Sequence, residues 1–277
     1  MKRVLSLGAG VQSSTLLLMS CNGVLPKLDA AIFADTQFEP KAVYENLEFL
    51  VQEGKKAGIP VEIRTRSSIE RDSLIARVRG HAVDGVRVAS MPWFVDTGNP
   101  GGGRLRRQCT REYKLDVIER FIRREVLGLG KGQRAPREAC IEQWMGISAD
   151  EAHRAKASRL PFIVHQYPLL GWPVEMLPAT MTRAHCLQWL GENYPGRYFP
   201  RSACIGCPFR SNSEWREMKK NGIDDWERAV DFDRQIRQAG GMRGATYTHR
   251  TLRPLDQAIG EDIPGLWGEE CEGVCNV

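Results

Sequence analysis

Residues 1–15, MKRVLSLGAGVQSST, predict a β-strand, a glycine turn and the beginning of a helix. Residues 4–7 carry no charge and are mostly apolar, as expected of a strand that is buried on both faces. Gly8 and Gly10 permit a sharp reversal because they lack the Cβ atom that penalises a left-handed backbone. Residues 13–15 bear hydroxyl groups and precede an apolar run, so they are expected to begin the helix.

A helix that begins directly after a glycine turn is a common place for phosphate to bind. Its first backbone N–H groups have no partner within the helix, and the helix dipole places positive charge there. Two familiar phosphate loops do not match this stretch. The Walker loop needs Gly-Lys-Ser/Thr, and the dinucleotide-binding fingerprint needs a third glycine shortly after Gly10; both are missing here. The stretch therefore predicts either a phosphate-binding turn of another kind or a plain strand-to-helix connection.

Strands and helices alternate along the first part of the chain. Apolar runs and helical spacing predict strands at 4–8, 30–34 and 61–65 and helices at 12–21 and 40–57. This βαβαβ order predicts an α/β fold with a Rossmann-like parallel sheet. Ligands bind at the carboxyl ends of the strands in such sheets, so Gly8, Asp35 and Thr36 are expected along one edge. Asp35 would there bind a nucleotide or, alternatively, cap the next helix.

From residue 66 on, the predicted elements are less regular, and from residue 171 on they are helices. Residues 66–112 lose the alternating pattern, and the glycine-rich residues 98–103 are a candidate lid. Further elements are predicted as a helix at 113–127, strands at 140–145 and 162–170, and helices at 181–193, 212–220 and 225–239. Punctuation by prolines places a soft boundary near residue 171. The predicted domains are an α/β domain at 1–170 and a helical, cysteine-bearing region with a tail at 171–277.

Length and composition are those of a globular protein. The 277 residues carry 39 Lys and Arg against 34 Asp and Glu, and the net charge of +5 suits anionic ligands. No apolar stretch is long enough to cross a bilayer, and the first strand begins too early for a signal peptide, which predicts a cytoplasmic protein without membrane contact. The basic residues 104–124 are a candidate nucleic-acid surface or simply a solvated helix face. Oligomeric state is left open.

Residues 146–154, GISADEAHR, follow a predicted strand and form a second candidate binding segment. Gly146 would let the backbone approach a ligand closely, and the guanidinium of Arg154 can bind two oxygens of a phosphate or sulfate group. Asp150 and Glu151 also suit the first turn of a helix, so a capping role is the alternative.

The chain has eight cysteines and no predicted secretion signal, which favours metal ligands, redox thiols or core residues over disulfides. Cys204 and Cys207 form a CxxC turn. With Cys109 and Cys186 they supply four thiolates, enough for a tetrahedral zinc ion or a [4Fe–4S] cluster. Spacing alone does not separate these two kinds of centre.

In their order along the chain, these motifs resemble the PAPS (phosphoadenylylsulfate) reductase-like members of the N-type ATP pyrophosphatases. The PP-loop of that superfamily, Ser-Gly-Gly-x-Asp-Ser, aligns with residues 8–13, where Ala9 replaces a glycine and Gln12 replaces the aspartate. The other matching segments are Gln108-Cys109-Thr110 with Tyr113-Lys114, residues 146–154, and residues 203–209 with Trp215. The resemblance covers nearly the whole chain and includes iron–sulfur relatives of DNA phosphorothioation enzymes.

The resemblance implies a fold of the adenine nucleotide α-hydrolase (HUP) type and cleavage of ATP, with Mg²⁺, between its α and β phosphates. The implied nucleotide-binding residues are Ser6, Gly8, Gly10, Gln12, Ser13, Asp35, Thr36 and Gly146, and Arg107 and Arg154 would balance developing charge. On family grounds a [4Fe–4S] cluster is favoured over zinc for Cys109, Cys186, Cys204 and Cys207. An adenylylated acceptor, with nucleic acid as a candidate, would receive sulfur from a donor such as a cysteine desulfurase.

Two alternative functions are open. PAPS reductases carry a C-terminal Glu-Cys-Gly whose thiol attacks the sulfonate, and residues 270–273, ECEG, are similar. Reduction of PAPS or APS with Cys271 or Cys275 as the catalytic thiol is therefore the first alternative. This pair could instead relay sulfur, bind the metal or pack under the core. The second alternative is a non-catalytic nucleotide-binding module with a structural zinc.

Overall fold

The structure is a computed structural model that describes residues 1–75, 90–99, 101–171, 177, 179–238 and 244–259. Contacts divide the chain into two compact units. The first unit comprises Met1–Asp35, Ala42–Thr65 and Leu115–Ser202. The second comprises Thr36–Lys41, Arg66–Lys114 and Ala203–Val277. Both units are thus built from separate segments of the chain, whereas the sequence predicted a single boundary near residue 171.

The strands are β1 (Lys2–Leu7), β2 (Ala30–Asp35), β3 (Val61–Thr65), β4 (Phe94–Val95), β5 (Gly103–Arg104), β6 (Ile141–Met145), β7 (Ile163–Gln166) and β8 (Thr246–Tyr247). The α-helices are α1 (Val11–Cys21), α2 (Lys41–Lys56), α3 (Ile69–Leu74), α4 (Asp116–Phe121), α5 (Arg183–Asn193), α6 (Asn212–Asn221), α7 (Ile223–Gln238) and α8 (Leu255–Ala258). Two π-helical turns, Thr110–Leu115 and Ile122–Val126, flank α4, and 3₁₀ turns lie at Ala149–Arg154 and Pro168–Leu170.

The first unit is a five-stranded parallel sheet in the order β3-β2-β1-β6-β7 with helices packed on it. Alternate residues of one strand enter different cores: Leu5 packs in the core that contains α1, α2 and α5, and Val4 packs with α4. Because both faces of the central strands are covered, these strands are nearly continuous apolar runs. The predicted α/β fold with a parallel sheet is confirmed.

The second unit contains the antiparallel sheet β5-β4-β8 and the helices α3, α6, α7 and α8. Its core is rich in large aromatic side chains, namely Phe38, Trp93, Tyr113, Trp215, Trp226 and Phe232. The segment predicted as a lid joins β4 to β5, with the Gly102 amide donating to the Asn99 carbonyl at 3.0 Å; Pro100 lies outside the described residues.

The predicted strand 162–170 is shorter in the structure. β7 ends at Gln166, and Pro168–Leu170 forms a 3₁₀ turn that ends at Gly171 with φ of 69°. Pro168 has no N–H group to donate to a neighbouring strand, which explains why the strand stops before it. Among the helices of the described ranges, none is long and apolar enough to span a membrane.

Candidate functional site

The order of the parallel strands reverses between β1 and β6. The chain runs outward from β1 through β2 to β3 and then continues on the other side of β1 with β6 and β7. At such a reversal the loops that follow the two central strands diverge and leave a crevice at the carboxyl ends of the strands, where ligands bind. Here those two loops begin at Gly8 and Gly146.

The turn after β1 has an unusual backbone. Ala9 is fully buried and adopts a φ of 53°, in the left-handed region that costs a non-glycine residue roughly 1–2 kcal/mol. The side chain of Asn46 holds this turn, since its Nδ2 donates to the Ala9 carbonyl at 2.9 Å and to Ser14 Oγ at 3.1 Å. Backbone strain that neighbouring groups maintain in this way is typical of functional turns.

The loops after β1 and β6 contact each other. A Cβ atom on Gly146 would lie 2.9 Å from the Ser13 amide nitrogen, so only glycine fits at this position without a backbone shift. Gln12 Nε2 also donates to Ser148 Oγ at 3.3 Å. The structure thus brings together three of the residues predicted to bind nucleotide: Gly146, Gln12 and Ser13.

Residues 200–202 cover the same turn. A Cβ atom on Gly10 would lie 2.8 Å from the Ser202 amide nitrogen. The Val11 amide donates to the Pro200 carbonyl at 3.2 Å, and the Gly8 amide donates to Ser13 Oγ at 3.1 Å. Two N–H groups that could bind phosphate therefore have protein partners. A phosphate group could reach the Val11 amide only by displacing Pro200.

Ser6 and Asp35 lie on the neighbouring strands. Ser6 Oγ accepts a hydrogen bond from Gln143 Nε2 at 2.8 Å, which links β1 to β6. Asp35 ends β2, and its Oδ1 accepts from the Tyr44 hydroxyl at 2.8 Å. Asp35 therefore lies at the carboxyl edge of the sheet, as predicted, and its carboxylate is oriented by α2.

Arg154 and the acidic residues that follow β6 interact with other residues of the protein. Arg154 pairs with Glu151 at 2.7 Å, and about half of its side chain is exposed. Asp150 Oδ1 accepts from the Arg183 amide at 3.0 Å, so this carboxylate caps the beginning of α5. Partial burial opposes ionisation of Asp150, but hydrogen bonds from Ser148 and from Arg183 lower its pKa. The capping alternative thus describes Asp150, although the helix concerned is α5.

In the second unit, the carboxylate of Glu39 is at the centre of a buried polar cluster. Its Oε1 accepts from Thr36 Oγ1 at 3.0 Å and lies 3.5 Å from both Cys204 Sγ and Lys114 Nζ. Its Oε2 is buried and has no hydrogen-bond partner among the described residues. A buried carboxylate oxygen without a partner is costly, so a cation or hydrogen-bond donor that reached it would stabilise the cluster.

Both burial and neighbouring charges shift the pKa values of this cluster. Burial raises the pKa of Cys204, and Glu39 adds to this effect while Lys114 opposes it. Burial also raises the pKa of Cys207, although a hydrogen bond from the Phe209 amide opposes the change. Glu39 raises the pKa of Lys114, whose amino group stays charged. Without a metal the two thiols are protonated near neutral pH, whereas a metal ion would stabilise their thiolates.

The CxxC turn is held rigidly. The Cys207 amide donates to the Cys204 carbonyl at 3.2 Å, and a guanidinium nitrogen of Arg210 donates to the same carbonyl at 3.1 Å. A Cβ atom on Gly206 would lie 2.6 Å from the ring of Phe232, so this position also requires glycine. Close packing therefore fixes the positions of the two cysteines.

Arg107 lies beside this turn. Its guanidinium carbon is 5.2 Å from the centre of the Phe209 ring, and that of Arg104 is 5.3 Å from the same ring. Both contacts are within the range of cation–π attraction. Arg107 also lowers the pKa of Cys207 in opposition to burial, so it lies close enough to act on that sulfur.

Cys186 has different surroundings from the other predicted ligands. It belongs to the first unit, in α5, and is fully buried in the apolar core. Burial raises its pKa to about 11, although a hydrogen bond with Thr15 opposes the change. These surroundings favour a neutral core thiol over a metal ligand. Cys109, Cys204 and Cys207 all belong to the second unit.

The second unit contains thiols and a carboxylate of the kinds that bind metals, but these side chains are not arranged around a common point. Three thiols, those of Cys109, Cys204 and Cys207, act electrostatically on the amino group of Lys114. The free oxygen of Glu39 is an additional acceptor. As the side chains stand, however, no three His, Cys, Asp or Glu residues within the described ranges lie close enough to hold a metal ion. A metal would therefore require these donor side chains to move closer together.

Sequence reasoning missed Asn46, Glu39 and Ser202. Asn46 was detectable in principle, because it is a polar residue on the apolar face of α2, beside Val43 and Leu47. Glu39 and Ser202 have no local signal, since their contacts join distant segments of the chain. Cys271 and Cys275, predicted as catalytic thiols, lie outside the described residues.

Comparisons with models of known protein families, with curated proteins and with solved structures find no match to this chain.

Proposed function

We propose that this chain is a PAPS reductase-like ATP pyrophosphatase of the adenine nucleotide α-hydrolase type, which adenylylates an acceptor for sulfur transfer. The contact of Gly146 with Ser13 at the reversal of strand order carries the proposal. It places two glycine loops at the position where sheets of this topology bind nucleotides. The left-handed Ala9 adds support, because strained turns of this kind are concentrated at binding sites.

The roles in the first unit follow from this placement. The Ser13 hydroxyl and the amides of residues 10–13 would hold the phosphates once Pro200 has moved, and Asp35 would accept from an adenosine hydroxyl or amine. Arg154 would exchange Glu151 for an oxygen of the α-phosphate. An acceptor oxygen would bond to the α-phosphorus while the bond to the bridging oxygen breaks and pyrophosphate leaves. Mg²⁺ on the triphosphate would neutralise part of the leaving group's charge.

The second unit would supply the sulfur chemistry. Cys109, Cys204 and Cys207 would hold an iron–sulfur cluster, with zinc as the alternative, and such a cluster supplies a site that binds sulfur or transfers electrons. The protein's own contribution is to hold the two sulfurs of the CxxC turn in place. Lys114 would balance the negative charge of thiolates that a metal stabilises.

An anaerobic assay of the full chain tests the proposal. With ATP and Mg²⁺, the protein is expected to release AMP and pyrophosphate in the presence of the right acceptor, with RNA and DNA among those tried. Ser13→Ala is expected to lower kcat/KM at least about tenfold, since it removes a phosphate contact. Thr180→Ala, which removes a hydroxyl at an exposed position of the same unit, is the matched control.

Other outcomes would replace the proposal. Sulfite release from PAPS without pyrophosphate release from ATP would indicate a PAPS reductase. Neither activity, together with zinc and no iron in the anaerobic protein, would indicate a non-catalytic nucleotide-binding module.

A further inference from the structure

A pocket lies at the carboxyl end of β3, in the first unit. This cavity of about 140 Å³ lies between β3 and the helix that follows residue 115. It is lined by Arg64, Thr65, Val117, Arg120, Phe121, Arg124 and Glu125. The lining therefore combines three arginines and one glutamate with the apolar residues Val117 and Phe121.

The three arginines are not equivalent. Arg64 is committed to the protein, because it pairs with Glu125 and also with Glu62 at 2.8 Å. The Arg124 side chain donates one nitrogen to the Leu129 carbonyl at 2.6 Å, and the Arg120 side chain makes no hydrogen bond to any described residue. Within the described part of the chain, neither Arg120 nor Arg124 has a carboxylate partner.

Arg120 and Arg124 lie one helical turn apart, so their like charges are neighbours. Such a pair of like charges destabilises a helix. An oxyanion between them would remove this repulsion, and each planar guanidinium can donate two parallel hydrogen bonds to it. The cavity volume of about 140 Å³ is well above the roughly 10–15 Å³ that one water molecule needs, so there is room for a phosphate group.

The pocket belongs to a larger positively charged region, which we call the basic surface. Residues 120–137 contain Arg120, Arg123, Arg124, Lys131, Arg134 and Arg137, with Glu125 as the acidic residue. Arg123 donates to the Gln133 carbonyl at 3.1 Å, and with Arg124 it ties the loop at 129–133 to the helix. Cations on both the helix and the loop extend the charge well beyond the pocket.

We propose that the pocket seats one phosphate of a nucleic-acid backbone between Arg120 and Arg124, while the basic surface contacts the adjoining phosphates. A small phosphate compound would occupy the pocket alone, whereas a polynucleotide also engages Lys131, Arg134 and Arg137. These contacts reach phosphates only, so binding is independent of base sequence. The inference rests on the proposed function in one respect, namely that the bound nucleic acid is the acceptor.

Oligonucleotide binding by the full chain tests this assignment. Fluorescence anisotropy with a labelled single-stranded RNA and a labelled DNA duplex, each about 20 nucleotides long, would be measured without ATP between roughly 50 and 200 mM salt. Arg120→Gln/Arg124→Gln is expected to weaken binding about tenfold or more and to lower the slope of log K against log salt by about 2. Arg120→Lys/Arg124→Lys keeps both charges but cannot donate two parallel hydrogen bonds from each side chain, so it should bind with intermediate affinity.

The matched control is Lys55→Gln/Arg159→Gln, which removes two charges at exposed positions of the same unit. Its oligonucleotide affinity is expected to stay within about threefold of the wild-type value, because neither substitution changes a residue that lines this pocket. Equal effects of the two double variants would overturn the proposal. So would a loss of inorganic phosphate binding in the Gln variant with oligonucleotide affinity unchanged.

The two proposals fail separately. Because binding is measured without ATP, a chain that binds oligonucleotides but releases no pyrophosphate refutes only the proposed function. A chain that releases pyrophosphate but binds oligonucleotides equally well with and without Arg120 and Arg124 refutes only the basic surface.

Discussion

The side chain of Asn46 donates a hydrogen bond to the carbonyl of Ala9 at 2.9 Å, which fastens α2 to the strained turn after β1. The same nitrogen contacts Ser14 Oγ at 3.1 Å. Asn46 is 1% exposed, so these hydrogen bonds are shielded from solvent. The turn that begins α1 therefore depends on a residue from a different helix.

We expect Asn46→Ala to lower the free energy of unfolding by roughly 2–3 kcal/mol, because it leaves the Ala9 carbonyl buried without a partner. Urea denaturation measures this change. Glu48→Ala, on an exposed position of α2, should shift the stability by no more than about 0.5 kcal/mol. Equal stability of the two variants would show that Asn46 does not hold the turn.

Gly146→Ala is expected to disturb the contact between the loops after β1 and β6. The added Cβ would meet the Ser13 backbone at 2.9 Å, and relief of this overlap typically costs about 1–3 kcal/mol. Thermal unfolding and ATP affinity should both decrease. Gly191→Ala is the control, since Gly191 lies within α5 with no atom near its Cβ position. This control should gain roughly 0.5–1 kcal/mol from the helix propensity of alanine.

The surroundings of Cys186 predict that it is not a metal ligand. We expect Cys186→Ala to keep the iron and sulfide content of the anaerobically purified wild-type protein, whereas Cys204→Ala should lose both. The reason is that Cys186 is a neutral core thiol in contact with Thr15, while Cys204 lies beside Glu39 in the second unit. Loss of iron from a folded Cys186→Ala protein would contradict this prediction.

Because His249 is buried, we expect the protein to lose stability as the pH falls. Its Nδ1 accepts from the Thr251 amide, so the hydrogen is on Nε2, which donates to Asn212 Oδ1 at 2.9 Å. Burial, with Arg250, lowers its pKa from 6.5 to about 4, and Asp233 only partly opposes this change. The unfolded chain thus binds the proton more readily. The stabilisation is complete above pH 6.5 and is lost as the pH falls towards 4, by roughly 3 kcal/mol in total.

Urea unfolding at several pH values between 4.5 and 6.5 checks this prediction. His249→Gln should flatten the stability profile in this window, because the titrating group is gone. Asp72 and Asp150, whose pKa values are lowered from 3.8, contribute their own loss only at lower pH. A profile that is flat for the wild-type chain would refute the neutral, buried state of His249.

The sequence predicted secondary structure well where the burial of a residue follows from the pattern of its neighbours in the chain. The apolar runs of β1 and β2 and the spacing in α2 predicted the parallel sheet, because residues adjacent in sequence are buried together. The same reasoning placed Gly8 and Gly146 directly after predicted strands, and the structure shows that these two strands are neighbours. It could not find Pro200 or Ser202 above the turn, since that contact joins segments far apart in the chain.

The prediction of metal ligands shows a second limit of reasoning from sequence. Cys109, Cys186, Cys204 and Cys207 were grouped by residue type, and residue type does not report the burial of a thiol. Folding places Cys186 in an apolar core of the first unit, whereas Cys204 lies beside Glu39 and Lys114 in the second. Thr36, predicted with the nucleotide site, likewise bonds to Glu39 in the second unit.

By itself, the sequence determined the kind of fold and the order of its elements, because both follow from the periodicity of apolar residues and from the glycines that end strands. Only the tertiary structure decided which polar groups meet: Asn46 with Ala9, Gly146 with Ser13, and Arg64 with Glu125 beside β3. The physical reason is that secondary structure depends on neighbours within a few residues, whereas a site is assembled from side chains that long-range packing brings within hydrogen-bonding distance.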